Sequence, residues 1–98
     1  MLRAEVATLK AHQSIVTCFT FTTDRNTLIS GGRDGRLAFW NVKDNYKLMS
    51  TIKVSDCGIE EDEITAIHYT NLRTGTDNHP FVVIGGLSGA LNILDIKS

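Results

Sequence analysis

Three residue types that cooperate in nucleophilic catalysis stand within the first 34 positions of this 98-residue sequence: His12, Ser30 and Asp34. In such a site an imidazole takes the proton of a serine hydroxyl, while a carboxylate orients the imidazole. The residues around Ser30 do not form the G-x-S-x-G turn that exposes many serine nucleophiles, because position 28 is leucine. Whether the three residues are catalytic or structural therefore depends on whether the fold exposes or buries Ser30 and His12.

A glycine-rich run, Gly31–Gly35, could also carry chemistry, because closely spaced glycines can bring backbone N–H groups to a phosphate. The run lacks the G-x-x-x-x-G-K-[ST] spacing of a phosphate-binding loop, and it recurs at Gly85–Gly89. Recurrence predicts a turn that the fold needs twice, so we predict no cofactor. His68, in an apolar strand, is predicted to lie in the core or at an interface. His79 has no neighbouring ligand residues, and no metal site is predicted.

Composition excludes several classes of protein. Ten basic and eleven acidic residues give a net charge of -1, whereas a nucleic-acid-binding domain is usually clearly basic. A hydrophobic content of 42% argues against disorder, and no apolar run reaches the roughly 18 residues of a membrane span. Cys18 and Cys57 stand far apart and form neither a disulfide framework nor a zinc motif. The first residues lack the apolar stretch of a signal peptide, so we expect an intracellular protein.

The elements that must position these residues are short β-strands. Runs of four to eight residues rich in threonine, valine, isoleucine and aromatics are separated by turn residues, and no helical periodicity exceeds one turn. Two of the runs are apolar at nearly every position, which predicts strands covered on both faces. The eight predicted strands are Glu5–Leu9, Ile15–Phe21, Thr27–Ser30, Arg36–Val42, Lys47–Val54, Ile64–Thr70, Phe81–Ile84 and Ala90–Ile96.

The strands belong to an internal repeat. Leu28–Val42 aligns with Val82–Ile96 at an offset of 54, and all three glycines coincide. Upstream, Ile15–Cys18 aligns with Glu63–Ala66 at an offset of 48. The additional residues of the second copy fall in Asn71–Pro80, which we predict to be a polar loop.

The first copy contains the dipeptide Ala-His, which ends at His12, and the dipeptide Trp-Asn, which begins at Trp40. In these residues it resembles a WD40 repeat, which has Gly-His at the first place and Trp-Asp at the second. The resemblance implies blades of a β-propeller, each a four-stranded antiparallel sheet. It also implies that His12, Ser30, Asp34 and Trp40 form the family's structural hydrogen-bond tetrad. In that tetrad a turn carboxylate holds the imidazole, and the serine hydroxyl joins the imidazole to the indole.

The second copy departs from the family pattern. It has no Gly-His, and Ser88, Ile84 and Leu94 replace the turn aspartate, the serine and the tryptophan of the first copy. These residues cannot build the tetrad. We therefore interpret the second copy as a degenerate blade that is held together by packing.

The predicted organisation has three parts: residues 1–9 as an outer strand that completes a neighbouring blade, residues 10–54 as the first repeat, and residues 55–98 as the degenerate second repeat with an acidic loop and the 71–80 insertion. A propeller needs about four to eight blades, and this chain provides about two. Either the chain is part of a larger propeller, which the divergence of the copies favours, or several chains close a ring. A small autonomous β-domain is a third alternative.

Charged residues indicate where a partner could bind. An acidic loop joins the two copies, and concentrated negative charge attracts basic peptides and speeds their association. The predicted partner-binding residues are Arg33, Asp56, Glu60, Glu61, Asp62 and Glu63. The insertion Asn71–Pro80 is a second candidate docking segment on the opposite face.

The resemblance implies a non-enzymatic scaffold or adaptor for protein–protein interactions within a multiprotein complex. The segment Leu28–Val42, followed by a repeat without Gly-His, also resembles WD-repeat subunits of the nucleolar small-subunit processome, which implies ribosome biogenesis, a ribonucleoprotein complex and a nuclear or nucleolar location. A cytoplasmic location stays open. The alternative function is a hydrolytic or small-ligand-binding propeller that uses Ser30, His12 and Asp34.

Overall fold

The chain folds into antiparallel strands at the positions where β-branched and aromatic residues cluster. The computed structural model describes residues 8–12, 14–57, 62–74 and 77–95. Within these residues no helix is longer than four residues, the 3-10 turns being Val42–Asp44 and Val54–Cys57. The all-β prediction is confirmed. The strands are β1 Val16–Phe21, β2 Thr27–Gly32, β3 Arg36–Asn41, β4 Lys47–Lys53, β5 Ile64–Thr74, β6 Asp77–Gly86 and β7 Leu91–Asp95.

The strands form two sheets. The first sheet has the order β1-β2-β3-β4 and the second has the order β5-β6-β7, with all neighbours antiparallel. This is the arrangement expected of WD40 blades, the second of them with three strands in the described residues. Of the predicted outer strand Glu5–Leu9, residues 5–7 lie outside the described residues, and Thr8 and Leu9 are not in a strand.

The internal repeat is visible in backbone hydrogen bonds as well as in the sequence. Arg33 N–H donates to the carbonyl of Ile15 over 2.9 Å, and Leu87 N–H donates to the carbonyl of Glu63 over 2.9 Å. The register of β1 against β2 is interrupted two residues into β1, and that of β5 against β6 at the equivalent point. The first two strands of each sheet therefore pair in the same way.

The repeated glycine turns close each sheet in the same way. Gly35 N–H donates to the carbonyl of Gly32, and Gly89 N–H donates to that of Gly86, both over 3.1 Å. Gly35 has a φ of +71° and Gly89 a φ of +92°, a backbone conformation that residues other than glycine rarely adopt. The turn interpretation of both glycine runs is consistent with this backbone.

The core lies between the sheets. One face of the first sheet packs on one face of the second, and half-buried Cys18 and Phe39 border the contact. The prediction that β1 is covered on both faces is wrong for this chain, because the side chain of Phe19 is 66% exposed and that of Phe21 is 42% exposed. With two sheets, each has a partner on one side alone. The fully or nearly fully buried core residues are Ile29, Leu37, Val54, Ile64, Val82 and Ile84.

The predicted loop Asn71–Pro80 is instead part of a long hairpin. The β5–β6 pairing continues from Asn71 opposite Pro80 to Thr74 opposite Asp77. Polar residues made this segment look like a loop, but a two-stranded ladder satisfies its backbone without apolar side chains. Pro80 is tolerated because β7 pairs with β6 from Phe81 onward, which leaves Pro80 with a strand neighbour on one side.

Candidate functional site

The four residues of the predicted tetrad come together on the side of the first sheet that faces away from the second. Ser30 lies in β2, Trp40 in β3, Asp34 in the turn between them, and His12 four residues before β1. His12 Nε2 lies 2.8 Å from Ser30 Oγ, and His12 Nδ1 lies 3.2 Å from Asp34 Oδ1. Trp40 Nε1–H donates to Ser30 Oγ over 3.1 Å.

These contacts define one direction of hydrogen bonding. The indole can only donate, so Ser30 Oγ accepts from Trp40 and has its own proton left to give to His12 Nε2. His12 then carries its proton on Nδ1, which donates to Asp34 Oδ1. That carboxylate oxygen also accepts from Arg36 N–H over 3.2 Å. Each polar side chain of the tetrad therefore has a hydrogen-bond partner.

All four side chains are withdrawn from solvent. The side chains of His12 and Asp34 are 3% and 8% exposed, and residues Ser30 and Trp40 are 7% and 5% exposed. Burial raises the cost of any polar group without a partner. Among the residues that the structure describes, no buried side-chain nitrogen or oxygen lacks one.

Ser30 has the hydrogen-bond order of a catalytic triad but not the setting of a nucleophile. It lies inside β2, paired with Phe19 on one side and Ala38 on the other, and not on an exposed turn. The oxygen of Ser30 accepts a hydrogen bond from the indole N–H, which reduces its ability to attack a carbonyl. An open cavity of about 310 Å³ lies beside the tetrad, lined by Leu9, His12, Val16, Phe19, Phe21, Leu28, Ser30 and Trp40.

Gly32 makes room for this arrangement, a role that the sequence interpretation missed. A Cβ at position 32 would lie 2.8 Å from the carbonyl oxygen of Ile15 and 3.0 Å from both His12 Nδ1 and Asp34 Oδ1. No side chain fits there without displacing the imidazole or the carboxylate. The sequence signal was the recurring glycine pair, which we attributed to turn formation alone.

The second sheet has a polar contact at the equivalent place, built from different residues. Ser88, the counterpart of Asp34, donates through its hydroxyl to Asp62 Oδ2 over 2.6 Å. Its N–H lies 3.3 Å from Asp62 Oδ1, which also accepts from Glu63 N–H over 2.9 Å. A Cβ on Gly86 would lie only 2.0 Å from Asp62 Oδ2, so this glycine also makes room for a polar group. The interpretation that packing alone holds the second blade was therefore incomplete.

The hydrogen bond from Ser88 lowers the pKa of Asp62 below its ordinary value, because it stabilises the ionised carboxylate. Desolvation opposes this shift, and the backbone N–H groups of Ser88 and Glu63 add to it. Asp62, predicted as a partner-binding residue, is thus engaged with the β6–β7 turn of its own sheet.

The other predicted partner-binding residues are partly brought together. Arg33 Nη2 lies 3.4 Å from Glu63 Oε1, with both side chains substantially exposed. This pair borders a shallow depression of about 410 Å³, which Asp34, Asp62 and Leu87 also line. Asp56 is exposed in the second 3-10 turn. Glu60 and Glu61 lie outside the described residues.

Across the described ranges, no group of three or more His, Cys, Asp or Glu residues is arranged to hold a metal ion. His68 is exposed on β5, which leaves an interface as the remaining alternative of its prediction, and His79 is half-buried. In the part of the chain that the structure describes, no helix is long and apolar enough to cross a bilayer.

Comparison with known families agrees with this geometry. Residues 3–41 match the family model described as "WD domain, G-beta repeat". This part of the chain is a WD40 repeat. The matched WD40 repeat includes all four tetrad residues and ends after Trp40, at the last residue of β3.

One curated protein that is similar to this chain is the "CCR4-associated factor 4 homolog" of Vanderwaltozyma polyspora. The two are 30% identical over an alignment of 87 positions that covers 74% of this chain. The chain spans 13% of the length of that relative. No solved structure matches the chain at a comparable level of significance.

Proposed function

We propose that this WD40-repeat chain is a non-enzymatic scaffold that holds other proteins together within a multiprotein complex. The observation that carries the proposal is the bonding of Ser30, whose hydroxyl is buried and joined to both Trp40 and His12. The groups that could have been catalytic are used to fix the first sheet. What stays accessible is the surface of the turns and sheet faces, which suits protein binding.

The kind of complex is a finer proposal. The relative from Vanderwaltozyma polyspora is named for an association with CCR4, which supports a subunit of a multiprotein assembly. The similarity of Leu28–Val42 to processome subunits supports a ribonucleoprotein assembly in ribosome biogenesis. A tagged protein in cells tests both, because its location separates nucleolus from cytoplasm and its cross-linked neighbours separate the two assemblies.

Two sheets do not make a closed propeller, for which about four to eight blades are needed. We propose that the two blades of this chain are completed by further blades, either in a longer protein or in other copies of the chain. Residues 1–9 are proposed to supply the outer strand of a neighbouring blade.

A basic peptide is the proposed partner of the acidic loop, with Asp56, Glu60, Glu61 and Glu63 as the attracting residues. Asp62 is excluded from this test because it holds Ser88. The double variant Glu60→Lys/Glu61→Lys should leave the β-sheet circular dichroism unchanged and weaken binding of a lysine-rich peptide several-fold. Asp44→Lys is the matched control, since exposed Asp44 lies in the β3–β4 turn at the opposite end of the sheet. Equal loss in both variants would contradict a local site.

A hydrolytic function is the second candidate, because the order Ser30–His12–Asp34 is present and a cavity of about 310 Å³ adjoins it. A fluorophosphonate probe, which labels activated serines, distinguishes the two functions. The scaffold predicts labelling no higher than that of the Ser30→Ala variant. Labelling of the natural chain that disappears in Ser30→Ala would establish the hydrolytic function.

A further inference from the structure

In the part of the chain that the structure describes, each sheet has one open face, and both open faces present apolar side chains. The front face, on the first sheet, presents Phe19, Phe21 and Leu28 around the cavity beside Trp40. The back face, on the second sheet, presents Leu91 and Ile93 of β7, which are 71% and 65% exposed. Clusters of exposed apolar side chains such as these are typical of faces that bind another protein surface.

The internal repeat shows what each open face is suited to contact. By the offsets of the repeat, the counterparts of front-face residues Phe19, Phe21, Leu28 and Trp40 are Ile67, Tyr69, Val82 and Leu94. All four counterparts lie in or against the core between the sheets. The front face of the first sheet therefore corresponds to the face of the second sheet that is covered by the first sheet.

The back face of the second sheet corresponds in the same way to the covered face of the first sheet. The counterparts of Leu91 and Ile93 are Leu37 and Phe39, which pack in the same core from the side of the first sheet. The chain thus contains one complete sheet–sheet interface and the two separate halves of a second one. Each half is exposed at one side of the molecule.

Polar contacts across the existing interface strengthen this correspondence. Thr17 Oγ1 contacts the carbonyls of Gly31 and of Ile64, the latter across the interface. Its counterpart Thr65 makes the first contact, to the carbonyl of Gly85 over 3.1 Å, and is exposed where the second would form. On a neighbouring front face, the counterpart of Ile64 is Val16.

A second polar contact follows the same pattern. Tyr69 N–H donates to Thr20 Oγ1 over 3.4 Å across the interface. The counterpart of Thr20 is His68, which is exposed on the back face. An imidazole nitrogen can accept a hydrogen bond as the threonine hydroxyl does, and the donor at the counterpart of Tyr69 would be Phe21 N–H.

We propose that the front face of one copy of this chain binds the back face of another copy, in the geometry of the chain's own sheet–sheet interface. A second copy is the occupant because every copy carries both halves. The two faces differ, so the contact is head-to-tail, and it can propagate until a ring closes. With two blades in each copy, about two to four copies would give the four to eight blades of a closed propeller. The proposal rests on the proposed completion of the two blades by other copies of the chain, and not on which protein the scaffold binds.

Paired single substitutions test the proposal. Phe19→Glu places a charge on the front face, Ile93→Glu places one on the back face, and Leu87→Glu is the control, because Leu87 is 66% exposed in the β6–β7 turn. Light scattering over a concentration series should show association of the natural chain and of Leu87→Glu. Each face variant alone should keep the 10.8 kDa mass of one chain. An equimolar mixture should give a 1:1 dimer, because one intact front face and one intact back face remain.

Three results would overturn the proposal: a natural chain that stays monomeric at every concentration, a folded face variant that still associates alone, or a mixture of folded variants that stays monomeric. If a variant does not fold, hydrogen exchange of the natural chain replaces it. Amides of β1 and β7 should then exchange several-fold more slowly at high concentration, while those of β4 should not change. Equal protection of β4, or no protection of β1, would contradict binding through these faces.

Discussion

In the first sheet an imidazole ties the β2–β3 turn to the segment that precedes the sheet, whereas in the second sheet a carboxylate ties the β6–β7 turn to its preceding segment. His12 bonds to Asp34 in the first case, and Asp62 bonds to Ser88 in the second. The acidic residue therefore lies in the turn in the first sheet and in the preceding segment in the second sheet. Gly32 and Gly86 make room for the polar group in both sheets.

The sheets differ in how far the polar contact extends inward. From His12 the hydrogen bonds continue to Ser30 and Trp40, while in the second sheet the corresponding positions are Ile84 and Leu94. A buried polar chain stabilises a protein only when all its members are present, because each missing member leaves another without a partner. A repeat that loses its histidine can therefore keep its fold by replacing the serine and tryptophan with apolar residues. The polar contact at the turn can persist on its own.

Removal of Trp40 should have the largest effect on this comparison. Trp40→Ala deletes the large buried side chain of the tetrad and leaves Ser30 without the indole donor, so we expect the free energy of unfolding to fall by about 3–5 kcal/mol. Leu94→Ala, at the counterpart position, removes a smaller and only half-buried side chain and should cost less. Urea unfolding followed by circular dichroism measures both. A larger loss in Leu94→Ala would reverse the assignment of the better-anchored sheet.

Introduction of the serine alone into the second sheet should be the next most damaging change. Ile84→Ser removes a buried side chain and places a hydroxyl where neither an imidazole nor an indole is present, at an expected cost of about 2–4 kcal/mol. Adding Leu94→Trp supplies an indole donor and should recover part of this loss in the same urea assay. No recovery would mean that the two sheets place positions 84 and 94 differently from positions 30 and 40.

Substitution of the turn residue that makes the polar contact should reveal a smaller difference in stability between the two sheets. Asp34→Ala leaves buried His12 Nδ1 and Arg36 N–H without their acceptor, so the expected loss is about 1–3 kcal/mol. Ser88→Ala, at the counterpart position, removes a more exposed contact and should lower the free energy of unfolding by less than Asp34→Ala does. Thermal unfolding of the two variants side by side checks the order. Similar losses would indicate that burial of the contact does not decide its contribution.

The sequence predicted the strands well because each carries its own local pattern. β-Branched and aromatic runs, separated by the polar turns 23–26 and 43–45 and by the glycine turn Gly31–Gly35, predict β1–β4 within a residue or two, and the glycine offset aligns the second sheet with the first. The long hairpin of β5 and β6 was missed because polar residues in a ladder have the same composition as a loop. Exposure of Phe19 was missed because an apolar strand does not reveal whether a neighbouring sheet is present.

The site was predictable to the extent that its residues belong to a repeat pattern. His12, Ser30, Asp34 and Trp40 stand at family positions, so their proximity could be expected. The contact of Asp62 with Ser88 could not, because a carboxylate in an acidic loop looks like solvent-exposed charge until the backbone brings a turn hydroxyl within 2.6 Å. The missed signal was the repeated Gly86, which needs an explanation beyond its turn.

The contact between Asp62 and Ser88 should also give the second sheet a dependence on acid. The pKa of Asp62 is lowered in the folded chain, so the contact stabilises the fold above the unfolded pKa of about 4, and this contribution is lost as the pH falls below that value. Ser88→Ala removes the main cause of the shift. Its free energy of unfolding should therefore lie slightly below that of the natural chain at about pH 6 and converge with it at about pH 2. If the free energies of unfolding of the two proteins instead ran parallel with pH, Ser88 would stabilise the sheet equally well beside a protonated and an ionised Asp62. The different position of the acidic residue in the two sheets would then have no electrostatic consequence.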